Sequence, residues 1–383
     1  MHLGYGAHCW IVTSLAMVGG TAMAQSASTA AVDDVQVCPY SANVVDPEFD
    51  SNSQRMVFVD QQGRLKIVSL NADGTSKSPG CAGTVIDTGA TLAIPGFGLK
   101  NGPEWARSKL GTEIYYTKLD ATQQPTLARA SFSGGAWQVQ LLSKGSMRGL
   151  PLATTDVADP QPRIMYVQAL PDGTFPTLWR EGRDARTESA FPGSVSDLSG
   201  GAPRWVPGQR AITTTQFDTG GTAQAIKYSI DSETVETLTA DSDQKDEVWM
   251  WPAPEFGGEP IFFTVANNCC LRVYRQIGGV WTLINAINAA DFSTYTRIIS
   301  PEPFVYKGRS YVSMQLGNQK NGNSDIWIAA IDPAAPLLRQ ISDPSTLRVR
   351  NEPEFMSTPS GAYIYYTTIV GSQVSLRRAS TGL

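Results

Sequence analysis

The sequence predicts an all-β protein, a seven-bladed β-propeller of four-stranded antiparallel blades, and three observations carry that expectation. A short phrase, Pro-Glu-aromatic, recurs along the chain. It stands as Asp46-Pro47-Glu48-Phe49, Gly102-Pro103-Glu104-Trp105, Ala202-Pro203-Arg204-Trp205, Ala253-Pro254-Glu255-Phe256, Pro301-Glu302-Pro303-Phe304 and Glu352-Pro353-Glu354-Phe355, with a degraded copy at Leu150-Pro151-Leu152. Taking prolines 47, 103, 151, 203, 254, 303 and 353, the steps are 56, 48, 52, 51, 49 and 50 residues. A repeat near 50 residues is the period of a propeller blade. Each phrase is followed by runs of β-branched and aromatic residues, which fit pleated surfaces packed on both faces. The seventh unit runs out of chain before its outer strand, and one strand-like segment is left over at the other end. The degraded third copy leaves six or eight blades as alternatives to seven.

In chain order, residues 1–24 read as an export signal. The apolar run Trp10 to Val18 precedes Ala22-Met23-Ala24, a small-x-small cleavage site. The run is too short to span a bilayer. Residues 25–383 then form a single propeller domain outside the cytoplasm, periplasmic or secreted. Next, Asp34 to Cys38 has strand character and no partner nearby in sequence. Pairing it with the last blade closes the ring and removes two exposed edges.

Within each unit the second strand follows a polar turn: Arg55 to Val59, Glu113 to Thr117, Arg163 to Val167, Ala211 to Thr214, Ile261 to Thr264, Tyr311 to Met314 and Tyr363 to Thr367. A third strand alternates apolar and polar residues, as in Leu65 to Val68 and Asp325 to Ile328. An outer strand ends most units, as in Trp137 to Leu141 and Thr234 to Leu238. Helix is confined to at most a short turn within residues 285–291.

Composition narrows the chemistry. Lys and Arg number 30 against 35 Asp and Glu, a net charge of −5 with a pI near 5.2. No basic stripe is present, which argues against a nucleic acid or an anionic membrane as partner. Both histidines, His2 and His8, fall inside the signal. The mature chain therefore lacks Ser-His-Asp and Cys-His catalysis and ordinary zinc sites. Four cysteines follow the signal: Cys38, Cys81, Cys269 and Cys270. An even number outside the cytoplasm suggests disulfides. Cys38 and Cys81 flank the presumed seam between blades 7 and 1 and are expected to pair. Cys269 and Cys270 are either a vicinal bond or two unpaired thiols on opposite faces of a strand.

The repeat resembles the TolB-like β-propeller repeat. Pro353-Glu354-Phe355 with Pro359-Ser360-Gly361, and Ser324-Asp325-Ile326-Trp327, carry the resemblance, which covers residues from about 45 to the end. It departs at the turns, which rarely show an Asp-Gly form. It implies a fold. Proteins with this repeat include periplasmic interaction scaffolds, parts of peptidases and polysaccharide lyases. Those lyases rely on histidine, so no catalytic residue transfers to this chain.

The innermost strand of a blade lines the central channel, and the repeated phrase marks it. Asp46, Glu48, Glu104, Glu255, Glu302, Glu352 and Glu354 are therefore expected near one mouth. Arg204 breaks the pattern in the fourth copy, and Arg107 flanks the second. These nine residues are the candidate ligand-binding set, with Glu104, Glu302 and Glu354 as candidate acids or bases. Crowded carboxylates raise one another's pKa and can serve as acid and base. They could also take Ca²⁺, although no cofactor is required. Repetition favours a structural role, because active sites break symmetry. Trp249, Trp251 and Tyr295 could stack on sugar rings or pack between blades, and Trp105 and Trp205 read as packing. The expected function is a monomeric binding scaffold for a polysaccharide or protein at the channel mouth. The alternative is a carbohydrate-active enzyme using carboxylate, Arg and Tyr residues there. A small-ligand site is expected at the mouth and not on the outer strands.

Overall fold

The computed structural model describes residues 33–98, 100–142, 145, 147–182, 188–193, 202–292, 295–318 and 322–383. The export signal expected at 1–24 lies outside the described residues. Seven antiparallel sheets form a ring. From the axis outward, blade 1 is Val45–Asp50, Arg55–Val59, Arg64–Ser69 and Thr84–Thr88. Blade 5 is Lys245–Ala253, Glu259–Ala266, Cys270–Ile277 and Val280–Asn288. Blade 2 alone splits its inner edge, with Ala90–Thr91 and Glu104–Ser108 both pairing Gly111–Leu119. The end of the blade 5 outer strand passes into a short turn of 3₁₀ helix, Ala289–Phe292, so residues 285–288 are strand and not helix.

Blade-to-blade packing explains the apolar runs. The second and third strands are covered on both faces, so Ile364, Tyr365, Tyr366 and Thr367 are all buried in succession. One hydrophobic cluster joins each pair of neighbours. Phe58, Tyr365 and Leu376 join blades 7 and 1. Ile114, Tyr116 and Val57 join blades 1 and 2, and Trp251, Phe263 and Met314 join blades 5 and 6.

The ring closes as the strand count requires. Asp34–Cys38 is the outer strand of blade 7, pairing Gln373–Ser380 with Gln36 opposite Arg377. Asp34 is the polar anchor of this seam. Its carboxylate accepts from Arg377 Nε at 2.8 Å, from the Asp343 amide at 2.8 Å and from the Tyr366 hydroxyl. Cys38 and Cys81 form the expected disulfide, with Cα atoms 5.4 Å apart. It ties the closing strand to blade 1. Cys269 and Cys270 form the vicinal disulfide, where the turn after the second strand of blade 5 passes into the third.

Candidate functional site

Five of the seven inner strands carry a bulge, those of blades 1, 3, 5, 6 and 7, and in four of these the repeated phrase marks it. In blade 1, Val45 faces Val59 and Glu48 faces Val57, so three steps on one strand meet two on the other. The same extra residue occurs between Gly149 and Leu152, Asp246 and Trp249, Ile299 and Glu302, and Asn351 and Glu354. The first bulged residue takes a left-handed backbone at Asp46, Leu150, Glu247, Ser300 and Glu352, with φ between 44° and 56°. Such a conformation costs a non-glycine residue on the order of 1 kcal/mol. Proline follows in four of the five. It has no N–H to give, which is tolerable on an innermost edge strand at a bulge. It also blunts that edge.

This register sets the frame of the ring. The residue after the bulge, or its counterpart in the unbulged blades 2 and 4, is Glu48, Glu104, Leu152, Arg204, Trp249, Glu302 and Glu354 in blades 1 to 7. The aromatic after it points between blades: Trp105 donates to the Glu48 carbonyl at 3.2 Å, and Trp205 to the Leu152 carbonyl at 3.0 Å. In blade 5 the frame differs from the one the sequence suggests. Ala253-Pro254-Glu255-Phe256 is not the bulge phrase. Pro254–Phe256 is a 3₁₀ turn beyond the inner strand. Glu255 does not join the other carboxyls. It accepts from the Ser310 amide at 3.1 Å and the Ser310 hydroxyl at 2.9 Å, bracing blade 5 against blade 6. The bulge of blade 5 is Asp246-Glu247-Val248-Trp249, which has no proline to announce it. Asp246 and Glu247 are the site residues that the repeat pattern missed, and Trp249, noted above only as an aromatic, takes the ring position of blade 5. Their signal was spacing alone, since Val248 falls 45 residues after Pro203.

Arg107 also lies apart. It pairs with Asp50 across the blade 1–blade 2 boundary, and its amide donates to the Thr154 carbonyl at 3.0 Å. Tyr295 donates to Asp325, and Trp251 donates to Ser310 Oγ at 3.0 Å, so both belong to blade packing.

The remaining candidates converge. Glu48, Glu104, Glu302, Glu354, Asp46 and Arg204 come from blades 1, 2, 4, 6 and 7, yet they act on one another electrostatically. Only the axis of the ring brings those blades together. Two positions serve the ring itself. The Glu352 carboxylate accepts the Asp46 amide, and the Asp46 carboxylate accepts the Gly102 amide. A Cβ on residue 102 would sit 2.2 Å from the Asp46 carbonyl oxygen, so only glycine fits. The other four carboxyls point at like charge. Glu354 is hydrogen-bonded to Glu302, and Asn101 Nδ2 bridges Glu104 Oε1 at 3.2 Å and the Pro151 carbonyl at 2.6 Å.

Desolvation raises every one of these carboxyls, with like charges adding to it. Glu104 is pushed up to about 8, Glu302 and Glu352 to about 7, and Glu48 and Glu354 well above the usual range. Asp46, Asp246 and Glu247 are raised too, each chiefly by burial and each relieved by Arg204. Burial, the Glu302 charge and the hydrogen bond to Glu302 all push Glu354 up, as two adjoining carboxyls do to one another. Arg204 is the cation of the cluster. Its guanidinium lies 4.5 Å over the Trp249 ring, and Nη2 is 3.7 Å from Glu247 Oε2. Two buried donors of this pair, Arg204 Nε and Trp249 Nε1, have no acceptor among the described residues. No group of three or more His, Cys, Asp or Glu side chains among the described residues is arranged to hold a metal ion.

No protein-family profile and no curated protein matches this sequence. Solved structures match at the level of fold. The β-propeller domain of Cps50 (Swd1) from Myceliophteria thermophila aligns with TM-score 0.52 and 9% identity, covering 90% of this chain and 98% of that domain. A prolyl endopeptidase aligns with TM-score 0.51 and 12% identity over 89% of this chain, which spans half of that enzyme. A TolB from Agrobacterium tumefaciens aligns with TM-score 0.36 and 14% identity, over 63% of this chain and 80% of that one. The seven sheets make this chain a seven-bladed β-propeller, the Cps50 likeness agrees with that fold, and its activity is left to be argued from the site.

Proposed function

We propose that the protein is an exported binding scaffold that holds a polysaccharide or protein partner at its central channel. One observation carries this reading: the ring position changes from carboxyl to Arg204 and Trp249 in blades 4 and 5. A purely structural repeat has no reason to break there. The change sets two unpartnered N–H donors and an aromatic face opposite an arc of carboxyls. Protonated carboxyls both donate and accept hydrogen bonds, as hydroxyl-rich ligands require. The two disulfides support an oxidising compartment, and among the described residues no helix is long and apolar enough to cross a membrane.

A second reading has its own support. Glu104, held protonated near neutral pH, is in the state a general acid needs. The Glu302–Glu354 contact supports this enzyme reading less, since glycosidase carboxyls stand about 5 Å or more apart. Titration calorimetry against acidic and neutral polysaccharides, with reducing ends and new double bonds followed in parallel, separates the two. The scaffold reading expects heat without product. Turnover that disappears in Glu104→Gln would replace it with the enzyme.

A further inference from the structure

Away from the channel, a groove of about 530 Å³ lies between the outer parts of blades 1 and 2. That volume is in the range of small-ligand sites. Its walls come from two sources. From blade 2, Phe132 and Trp137 face each other across a hairpin, their rings edge to face with centroids 5.5 Å apart. Trp137 packs partly on the core between blades 1 and 2, while Phe132 is 57% exposed. From blade 1 come Arg55, Ser69, Ser78 and Thr84.

The polar groups are the informative part. Among the described residues the Arg55 guanidinium has no ion pair and no hydrogen bond. This sets it apart from Arg64, Arg107, Arg163, Arg275 and Arg377, each of which pairs with a carboxylate. Its cross-strand neighbour Asp50 cannot help, because that carboxylate is taken by Arg107. The Trp137 indole N–H and the Ser69, Ser78 and Thr84 hydroxyls likewise donate to no group among the described residues. The groove thus offers one fixed cation, an indole donor, three hydroxyls and two aromatic rings, with no carboxylate on its walls.

We propose that this groove is a second binding site, for an acidic sugar unit of a polysaccharide. The guanidinium fork matches a planar carboxylate with two parallel hydrogen bonds. The C–H face of a sugar ring suits the aromatic pair, and its hydroxyls suit the Ser, Thr and indole groups. The site shares the polymer-binding reading of the channel, but its residues are separate from it.

The experiment is titration calorimetry of the full chain with trigalacturonate, its methyl ester and a neutral trisaccharide. Binding of trigalacturonate is expected, weakened about tenfold or more by Arg55→Ala, as loss of a charge-assisted bond predicts. The methyl ester should lose a similar factor, and Phe132→Ala a smaller one. Phe132 is exposed, so that variant keeps the fold even if Trp137→Ala does not; thermal unfolding checks both. Glu104→Gln and Arg204→Ala alter the channel and should leave the Arg55-dependent part of this binding unchanged. Equal affinity for acid and ester, undiminished binding by Arg55→Ala, or no binding at millimolar ligand would each overturn the groove. Binding lost in Glu104→Gln or Arg204→Ala but kept in Arg55→Ala would also overturn it while leaving the channel reading standing.

Discussion

The seam and the channel are built from overlapping blades but treat charge in opposite ways. At the seam, Asp34 is nearly inaccessible, and Arg377, Tyr366 and the Asp343 amide all donate to it. In the channel, eight carboxyls crowd around one cation, Arg204. Buried charge with a full set of partners contributes to holding a fold; buried like charge does not. The contrast separates the residues that keep the ring closed from those free to meet a ligand.

The strongest test of that division is removal of residues 33–38. This deletes the outer strand of blade 7, opens the ring and should abolish cooperative unfolding, as read by calorimetry. A deletion that still melts cooperatively near the parent temperature would mean that the seam is not what holds the ring. Breaking the disulfide with Cys38→Ser is next. The bond spans a sequence separation of 43 residues, and chain entropy alone gives on the order of 4 kcal/mol for such a loop. Asp34→Ala should cost about 3 kcal/mol in denaturant unfolding, because it strands Arg377 and the Tyr366 hydroxyl.

The channel should respond with the opposite sign. Its carboxyls have folded pKa values raised above their unfolded ones, near 4.5 for Glu. The folded state therefore binds protons more tightly. The stabilisation this supplies is full below pH 4.5 and is lost as pH rises through about 7 to 8. Unfolding free energy should fall by on the order of 5 kcal/mol between pH 6 and 9, about half of it from Glu104, so Glu104→Gln should flatten that slope. A rise in stability over the same interval would mean that the carboxyls are ionised and paired after all. The smallest effect on stability belongs to Arg204→Ala and Glu302→Gln, within a few degrees in melting temperature at pH 6. Their effect should instead appear in partner binding. If both lower stability and leave binding untouched, the channel ring is structural.

How much of this was legible beforehand varies by residue. The blade count, the closing strand and the Cys38–Cys81 bond followed from repetition and from counting strands against available chain. The convergence of Glu48, Glu104, Glu302 and Glu354 followed too, because period-2 alternation puts the residue beside a packing aromatic on the other face. Glu255 misled because its Pro-Glu-Phe spelling is that of the bulge, while its backbone is a 3₁₀ turn. Blade 5 hid its bulge because a left-handed residue followed by valine leaves no mark in sequence.

By itself, then, the sequence determined what is local and periodic: strands, turns, the repeat and the proline-marked bulges. These depend on backbone preference and side-chain alternation within a few residues. Only the tertiary structure decided what distance in the chain conceals. It placed Arg204 over Trp249, brought Glu302 and Glu354 into hydrogen-bond contact, gave Asp50 to Arg107 and left Arg55 unpaired beside Phe132 and Trp137. Each of those outcomes depends on desolvation and on charges brought together by ring closure, and neither exists until the blades have packed.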